Sequence, residues 1–267
     1  MTRRPHAYRG AGKAVAGDVH DPASLARAMA GADAAYYLVH SLDRKDFEAK
    51  DAQAARNFAA AAGAAGLERI VYLGGLGRDE QDLSAHLRSR REVERLLADG
   101  EVPVTVLRAA VVIGHGGISW EITRQLVARL PAMVVPRWVT TRTQPIALAD
   151  VIRYLVGVLD PPAARGRTFE VGGREVLTYA QMMERVAGIR HHRPLPVVAV
   201  PLLTPRLSSH WLSLVTDVDT ETARNLIDSM SNEVVVTDRS IEQVVPGDPL
   251  SYDDAVRAAF RERDQAQ

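Results

Sequence analysis

The sequence contains no cysteine, which excludes disulfides, thiolate metal sites and a cysteine nucleophile. It also has no net charge, with 33 basic residues against 33 acidic ones. Nothing in that balance points to nucleic acid or to an anionic membrane as a partner. Long apolar runs are missing too, since Arg108 cuts one and Pro196, Pro201 and Pro205 cut another; no membrane span is expected. Arginines occur in residues 1–9 but no apolar run follows them, so no signal peptide is expected and a cytoplasmic location is the default. Neither a G-x-S-x-G elbow nor an H-E-x-x-H helix occurs.

What remains is an ordinary globular composition, 46% hydrophobic and 25% charged over 267 residues, enough for one large α/β domain or a core with a smaller lobe. Short apolar runs alternate with longer helical patterns, the signature of a parallel sheet covered on both faces. Strands are expected at the end of 15–17, at 34–39, 69–73, 103–113, 133–135 and 168–171. Helices are expected at 22–30, 46–65, 84–98, 118–130, 147–159, 179–187, 220–230 and 252–263. Pro22 sits near the first turn of its helix, and Ser84 has the position of an N-cap. The start, MTRRP, reads as the tail of a strand, with no glycine-rich turn ahead of it. From about residue 172 onward the rhythm suggests a smaller lobe, giving expected units of 1–171 and 172–267.

Several residues have the chemistry of a nucleotide site. Asp18 follows a strand at the carboxyl edge of the sheet, where an acid can accept from an adenine amino group, or it can cap the helix near Pro22, a role that Asp21 fits better. Arg3 and Arg4 stand where a guanidinium can take a ribose 2′-phosphate; the alternative is a solvated terminus. Val39, His40 and Ser41 close one strand and Gly74 and Gly75 another, small residues that let a cofactor approach the backbone. His86 and Arg90, four apart on one helical face, are candidates for proton transfer and anion binding. The run RSRREVER around them also reads as a solvated helix face. His191-His192 lacks a partner at metal-ligand spacing and reads as surface. Trp120, Trp138 and Trp211 read as core or pocket wall. No metal site is expected.

Taken in order, GDVHDPASL, DAAYYLVHSL, RIVYLGGLG, HLRSRREVE, VTVLRAAVVIG, TQPIALADV and FEVGG resemble the atypical short-chain dehydrogenase/reductases, in particular NmrA-like NAD(P)H-binding proteins. The resemblance covers nearly all of the chain. It implies a doubly wound parallel-sheet Rossmann fold, N-terminally incomplete, with a small C-terminal substrate lobe. It places Asp18 at the adenine, Val39 to Ser41 along the adenosine and ribose, Gly74 and Gly75 near the nicotinamide, and Ala109, Ala110 and Val111 along its carboxamide side. NADP(H) is favoured over NAD(H), with a small organic substrate as partner; the oligomeric state is left open.

Two departures accompany the likeness. The family's Tyr-x-x-x-Lys is replaced by His86-Leu-Arg-Ser-Arg90, and glycine occupies the usual serine position. The first strand with its phosphate-binding turn does not precede residue 1, so a central strand with unpaired edges is the expectation. The functional expectation is therefore an NAD(P)-binding oxidoreductase or epimerase; the alternatives are a non-catalytic NADPH-binding redox-sensor or assembly module, or a truncated fragment that binds nothing.

Overall fold

The computed structural model describes residues 1–41, 46–78, 82–129, 133–135, 137–191, 197–199, 216 and 219–266. Its centre is a parallel four-stranded sheet. β1 (Ala34–Tyr37) pairs with β2 (Arg69–Gly75), β2 with β3 (Val104–Ala109), and β3 with the strand Thr168–Val171. Both faces are covered, as the uninterrupted apolar runs require. Ile70 and Tyr72 alternate with Val71 along β2, and Val104 and Val106 alternate with Leu107 along β3. The first set packs under α1 (Pro22–Met29), α2 (Phe47–Ala64) and α3 (Ala85–Ala98). The second set packs with Phe169 against Val151, Tyr154 and Val158, around the helix Leu148–Gly157. Each fully buried aliphatic side chain of these layers, such as Leu25, Ile70, Leu97 or Leu107, contributes on the order of 1.5–3 kcal/mol.

Local chemistry sets the helix starts. Asp21 accepts from the Ala23 N–H and Ser84 from the Leu87 N–H, so both helices begin on a side-chain cap. Helix α3 divides its charges. Arg95, Glu92 and Asp99 pair in solvent, while Glu94 is held between Arg91 and a bidentate Arg108 of β3 at 2.6 and 3.0 Å. The exposed pairs contribute little; the Glu94 cluster ties helix to sheet.

A third core lies beyond the sheet. α4 (Ile118–Arg129), the helix Tyr179–His191, the helix Thr220–Ser229 and the helix Tyr252–Ala266 enclose it. Trp120 is fully buried there and meets Phe260 edge to face at 5.3 Å between ring centroids. Residues before and after position 172 therefore share this core.

The structure departs from the sequence expectations in three places. Where strands were expected at 15–17 and at the start of the chain, there is one parallel bridge, Thr2 to Ala16. On its outer side β1 has no ladder partner among the described residues. The expected strand at 103–113 is two strands, since the chain leaves the sheet at Ala110 and Val111 and β4 (Val112–Ile113) pairs instead with Ile146–Ala147. Trp211 and His192 lie outside the described residues, as does the side chain of Trp138.

Candidate functional site

Two cavities lie side by side past the carboxyl ends of β1, β2 and β3, and His40 lines both. This is the edge at which parallel α/β sheets receive ligands. The first cavity, about 410 Å³, is walled by Met1, Thr2, Arg3, Gly17 to His20, Val39 to Ser41 and Lys50. Its shape comes from main-chain ties. Thr2 donates to the Val15 carbonyl at 2.9 Å, and Gly17 donates back to the Thr2 carbonyl at 3.1 Å. A Cβ at Gly17 would run into the Met1 side chain, so glycine is what allows the two segments to close together.

Asp18 is not needed as the cap of α1. Capping of α1 is done by Asp21, and the Asp18 N–H donates to Ser24 Oγ at 2.9 Å. Its Oδ1 accepts from the His20 N–H at 2.9 Å, while Oδ2 has no protein donor among the described residues. Across the cavity Lys50 reaches Asp46 at 2.9 Å from the first turn of α2. Arg3 is exposed at the rim.

The second cavity, about 310 Å³, is apolar over most of its wall, with Leu76, Val111, Ile118, Leu226, Met230 and Val234 among its residues. Gly75, Ala109 and Ala110 form its floor at the strand ends, and Tyr179 and Ser119 also face it. A Cβ on Gly75 would come to 2.9 Å from Leu87 Cδ2, so the strand end and α3 approach closely because that residue is glycine.

His86 and Arg90 enter this cavity from α3. Arg90 Nε lies 3.3 Å from His86 Nε2, and Arg90 Nη1 lies 3.5 Å from the Val39 carbonyl. An arginine N–H can only donate, so Nε2 is the acceptor and the imidazole proton sits on Nδ1. That proton is donated to Ser229 Oγ at 3.0 Å, and the Ser229 hydroxyl donates to the Asn225 carbonyl at 2.8 Å. Removal from water, then Arg90, then His40 push the His86 pKa down to about 3. The ring is neutral at ordinary pH and both of its nitrogens are committed. Burial pushes the Tyr179 hydroxyl up, so it too stays protonated.

The structure gathers most of the sequence-expected site residues into this groove. Arg3, Asp18, Val39, His40 and Ser41 line the first cavity; His40, Gly75, His86, Arg90, Ala109, Ala110 and Val111 line the second. Arg4 and Gly74 line neither. Arg4 stands exposed before the turn Pro5–Ala7, and Gly74 lies under the Tyr72 ring, where a Cβ would be 3.0 Å from Cε1. Lys50, Tyr179 and the roof residues Leu226, Ser229, Met230 and Val234 also line the groove and have no motif in the sequence to mark them. The one usable signal was the Leu226, Met230 spacing of four, an apolar stripe that also describes any core helix.

Comparison with known proteins gives this groove a context. A family described as NAD(P)H-binding matches residues 2–138. The chain belongs to that family. Membership agrees with the atypical short-chain reductase likeness of the sequence segments. The chain is 30% identical over 210 residues to a (4-alkanoyl-5-oxo-2,5-dihydrofuran-3-yl)methyl phosphate reductase of Streptomyces griseus, a match over 73% of this chain and 66% of that protein. It is 25% identical over 172 residues to the mitochondrial NADH dehydrogenase (ubiquinone) 1 alpha subcomplex subunit 9 of Arabidopsis thaliana, covering 62% of this chain and 43% of the relative. The chain thus spans less than two thirds of the length of either relative.

Solved structures of the same fold include an Escherichia coli NADPH-dependent quinone oxidoreductase complexed with NADPH, with a TM-score of 0.74, 19% identity and coverage of 93% of this chain and 83% of that one. A Citrobacter triphenylmethane reductase complexed with NADP(H) gives 0.73, 16% identity and coverage of 92% and 83%. These neighbours establish the Rossmann-type architecture. No helix among the described residues is long and apolar enough to cross a membrane, and no cluster of metal-ligating side chains occurs among them.

Proposed function

We propose that this protein is an NADP(H)-dependent reductase of a small organic molecule, with adenosine in the polar cavity and substrate beside the nicotinamide in the apolar one. The observation that carries this reading is the pair of cavities joined at His40 along the carboxyl edge of the sheet. The residues present fit the two ends of such a dinucleotide. Asp18 Oδ2 is unclaimed where an adenine amino group would donate, and Gly75, with no side chain, leaves room over the floor of the second cavity. Arg3 on the same wall as Asp18, with Lys50 as a second cation, supports NADP(H) over NAD(H). Bound there, the reduced nicotinamide supplies a hydride.

The rest is the work of this chain. Val39 to Ser41 bridge the two cavities, Ala109 to Val111 flank the ring, and the apolar roof from Leu226 to Val234 excludes water. We assign His86 to orienting Arg90 rather than to donating a proton, because a ring with a pKa near 3 and two committed nitrogens has no proton to give. Residues 1–171 supply the cofactor side of the groove and 172–267 most of its roof. The absence of the Tyr-x-x-x-Lys pair favours a second reading, a binding module that holds NADPH without turnover.

Titration of the purified chain with NADPH and with NADH, followed by nicotinamide fluorescence and by the unfolding midpoint, tests the proposal. Saturable binding with NADPH the tighter by about tenfold or more, the scale of a charged hydrogen-bond pair, is expected. No response to either dinucleotide overturns it. NADPH binding without oxidation by any quinone or enone acceptor selects the second reading.

A further inference from the structure

We propose that the apolar cavity is built for a ring compound bearing one carboxylate, and that Arg90 receives that group. This deepens the reductase reading by naming a substrate class. It rests on that reading for the chemistry, while the binding itself needs no dinucleotide.

The residues lining the cavity include no aspartate or glutamate, yet a guanidinium enters it. Arg90 spends its Nε on His86 and one N–H of Nη1 on the Val39 carbonyl, a long contact of 3.5 Å. The guanidinium also meets the Tyr72 hydroxyl, and among the described residues no carboxylate pairs with it. A guanidinium carries five donors in a fixed plane, more than these three neutral acceptors take up, and it stands beside a space walled mostly by apolar side chains. Charge in such a setting is poorly solvated and gains most from an anionic acceptor. At about 310 Å³ the space lies at the small end of ligand pockets, the size of one or two fused rings with a short substituent.

His86 fixes where those donors point. Its proton lies on Nδ1 and goes to Ser229, leaving Nε2 as the acceptor for Arg90. Ser229 is held in turn by the Asn225 carbonyl and lies 3.1 Å from Ser84 Oγ. Ser84 caps α3. The guanidinium plane is therefore set by a chain of hydrogen bonds anchored in two helices. In this account His86 is a positioning residue.

The test compares two probes of the same shape, 2-naphthoate and 2-naphthamide, by calorimetric titration in the absence of dinucleotide. The native chain is expected to bind the carboxylate about tenfold or more tightly than the amide, the scale of one charge-assisted bond. Arg90→Gln is expected to bring the ratio near one with the amide affinity unchanged, and Arg90→Lys to keep part of the preference. His86→Ala should lower the ratio several-fold, and His86→Gln, whose amide oxygen can accept from Arg90, should restore most of it. Equal affinities in the native chain, or a ratio that survives Arg90→Gln, overturns the proposal. A parallel NADPH titration keeps the two ideas apart: selective naphthoate binding without NADPH binding sinks the reductase reading and leaves this inference standing.

Discussion

The cavity at residues 1–3, 17–20 and 39–41 is walled by main chain and by charged or short polar side chains, whereas its neighbour is walled by aliphatic side chains drawn from strands, α3, α4 and the Thr220–Ser229 helix. The first is held open by backbone hydrogen bonds such as Thr2 to Val15 and Gly17 to Thr2, and its polar side chains carry little of the packing. In the second, the residues that would touch a ligand are also the residues that pack the roof onto α3. Binding and stability therefore separate at one end of the groove and coincide at the other.

The largest expected effect lies at the apolar end. Leu226 is 6% exposed and belongs to both the roof and the third core. Leu226→Ala should cost about 2–4 kcal/mol in denaturant unfolding and weaken ligand binding together with stability. A stable variant with weakened binding alone would break the coincidence. Next comes the polar clasp beside the roof. Asn232 accepts from the Ser84 N–H and donates to the Asp82 carbonyl, both at 3.0 Å. Asn232→Ala leaves that N–H without its partner and should cost about 1–3 kcal/mol.

A smaller effect follows from His86. Its folded pKa lies near 3, below the ordinary 6.5, so the unfolded chain binds the extra proton more readily. Its contribution to stability is full above about pH 6.5 and falls as the pH drops toward 3. Unfolding midpoints measured from pH 7 to pH 4 should decline less steeply in His86→Gln than in the native chain; parallel slopes would place the depressed group elsewhere. The smallest effect on stability is expected at the polar end. Asp18→Ala and Arg3→Ala should each stay within about 0.5 kcal/mol in unfolding. Arg3→Ala should nonetheless lose most of the preference for NADPH over NADH in a fluorescence titration.

The same contrast explains what the sequence made legible. The polar cavity is lined by turns that follow strands, and turns stay next to their strands in the chain. GDVHDP and LVHS therefore announced Asp18 and Val39 to Ser41 directly. The sheet was legible for a related reason: its runs are apolar on both faces, with helical patterns between them. Pairing of Val112 with Ile146 was not, because a two-residue strand leaves no periodicity. The apolar roof was illegible because Tyr179, Leu226, Ser229 and Met230 come to α3 across 90 to 145 positions, roughly, and in the chain they look like any amphipathic helix. His86 was visible as a residue, but its surroundings were not. Its acid–base chemistry depends on the neighbours it meets, and only the folded contacts with Arg90 and Ser229 show that both nitrogens are taken.

If one dinucleotide lies across both cavities, amide hydrogen exchange with and without NADPH will register it at both. Slower exchange is expected at 17–20, 39–41 and 75–76 together, with the far end of α2, residues 58–64, unchanged. Protection confined to one cavity, or none at all at saturating NADPH, would contradict it.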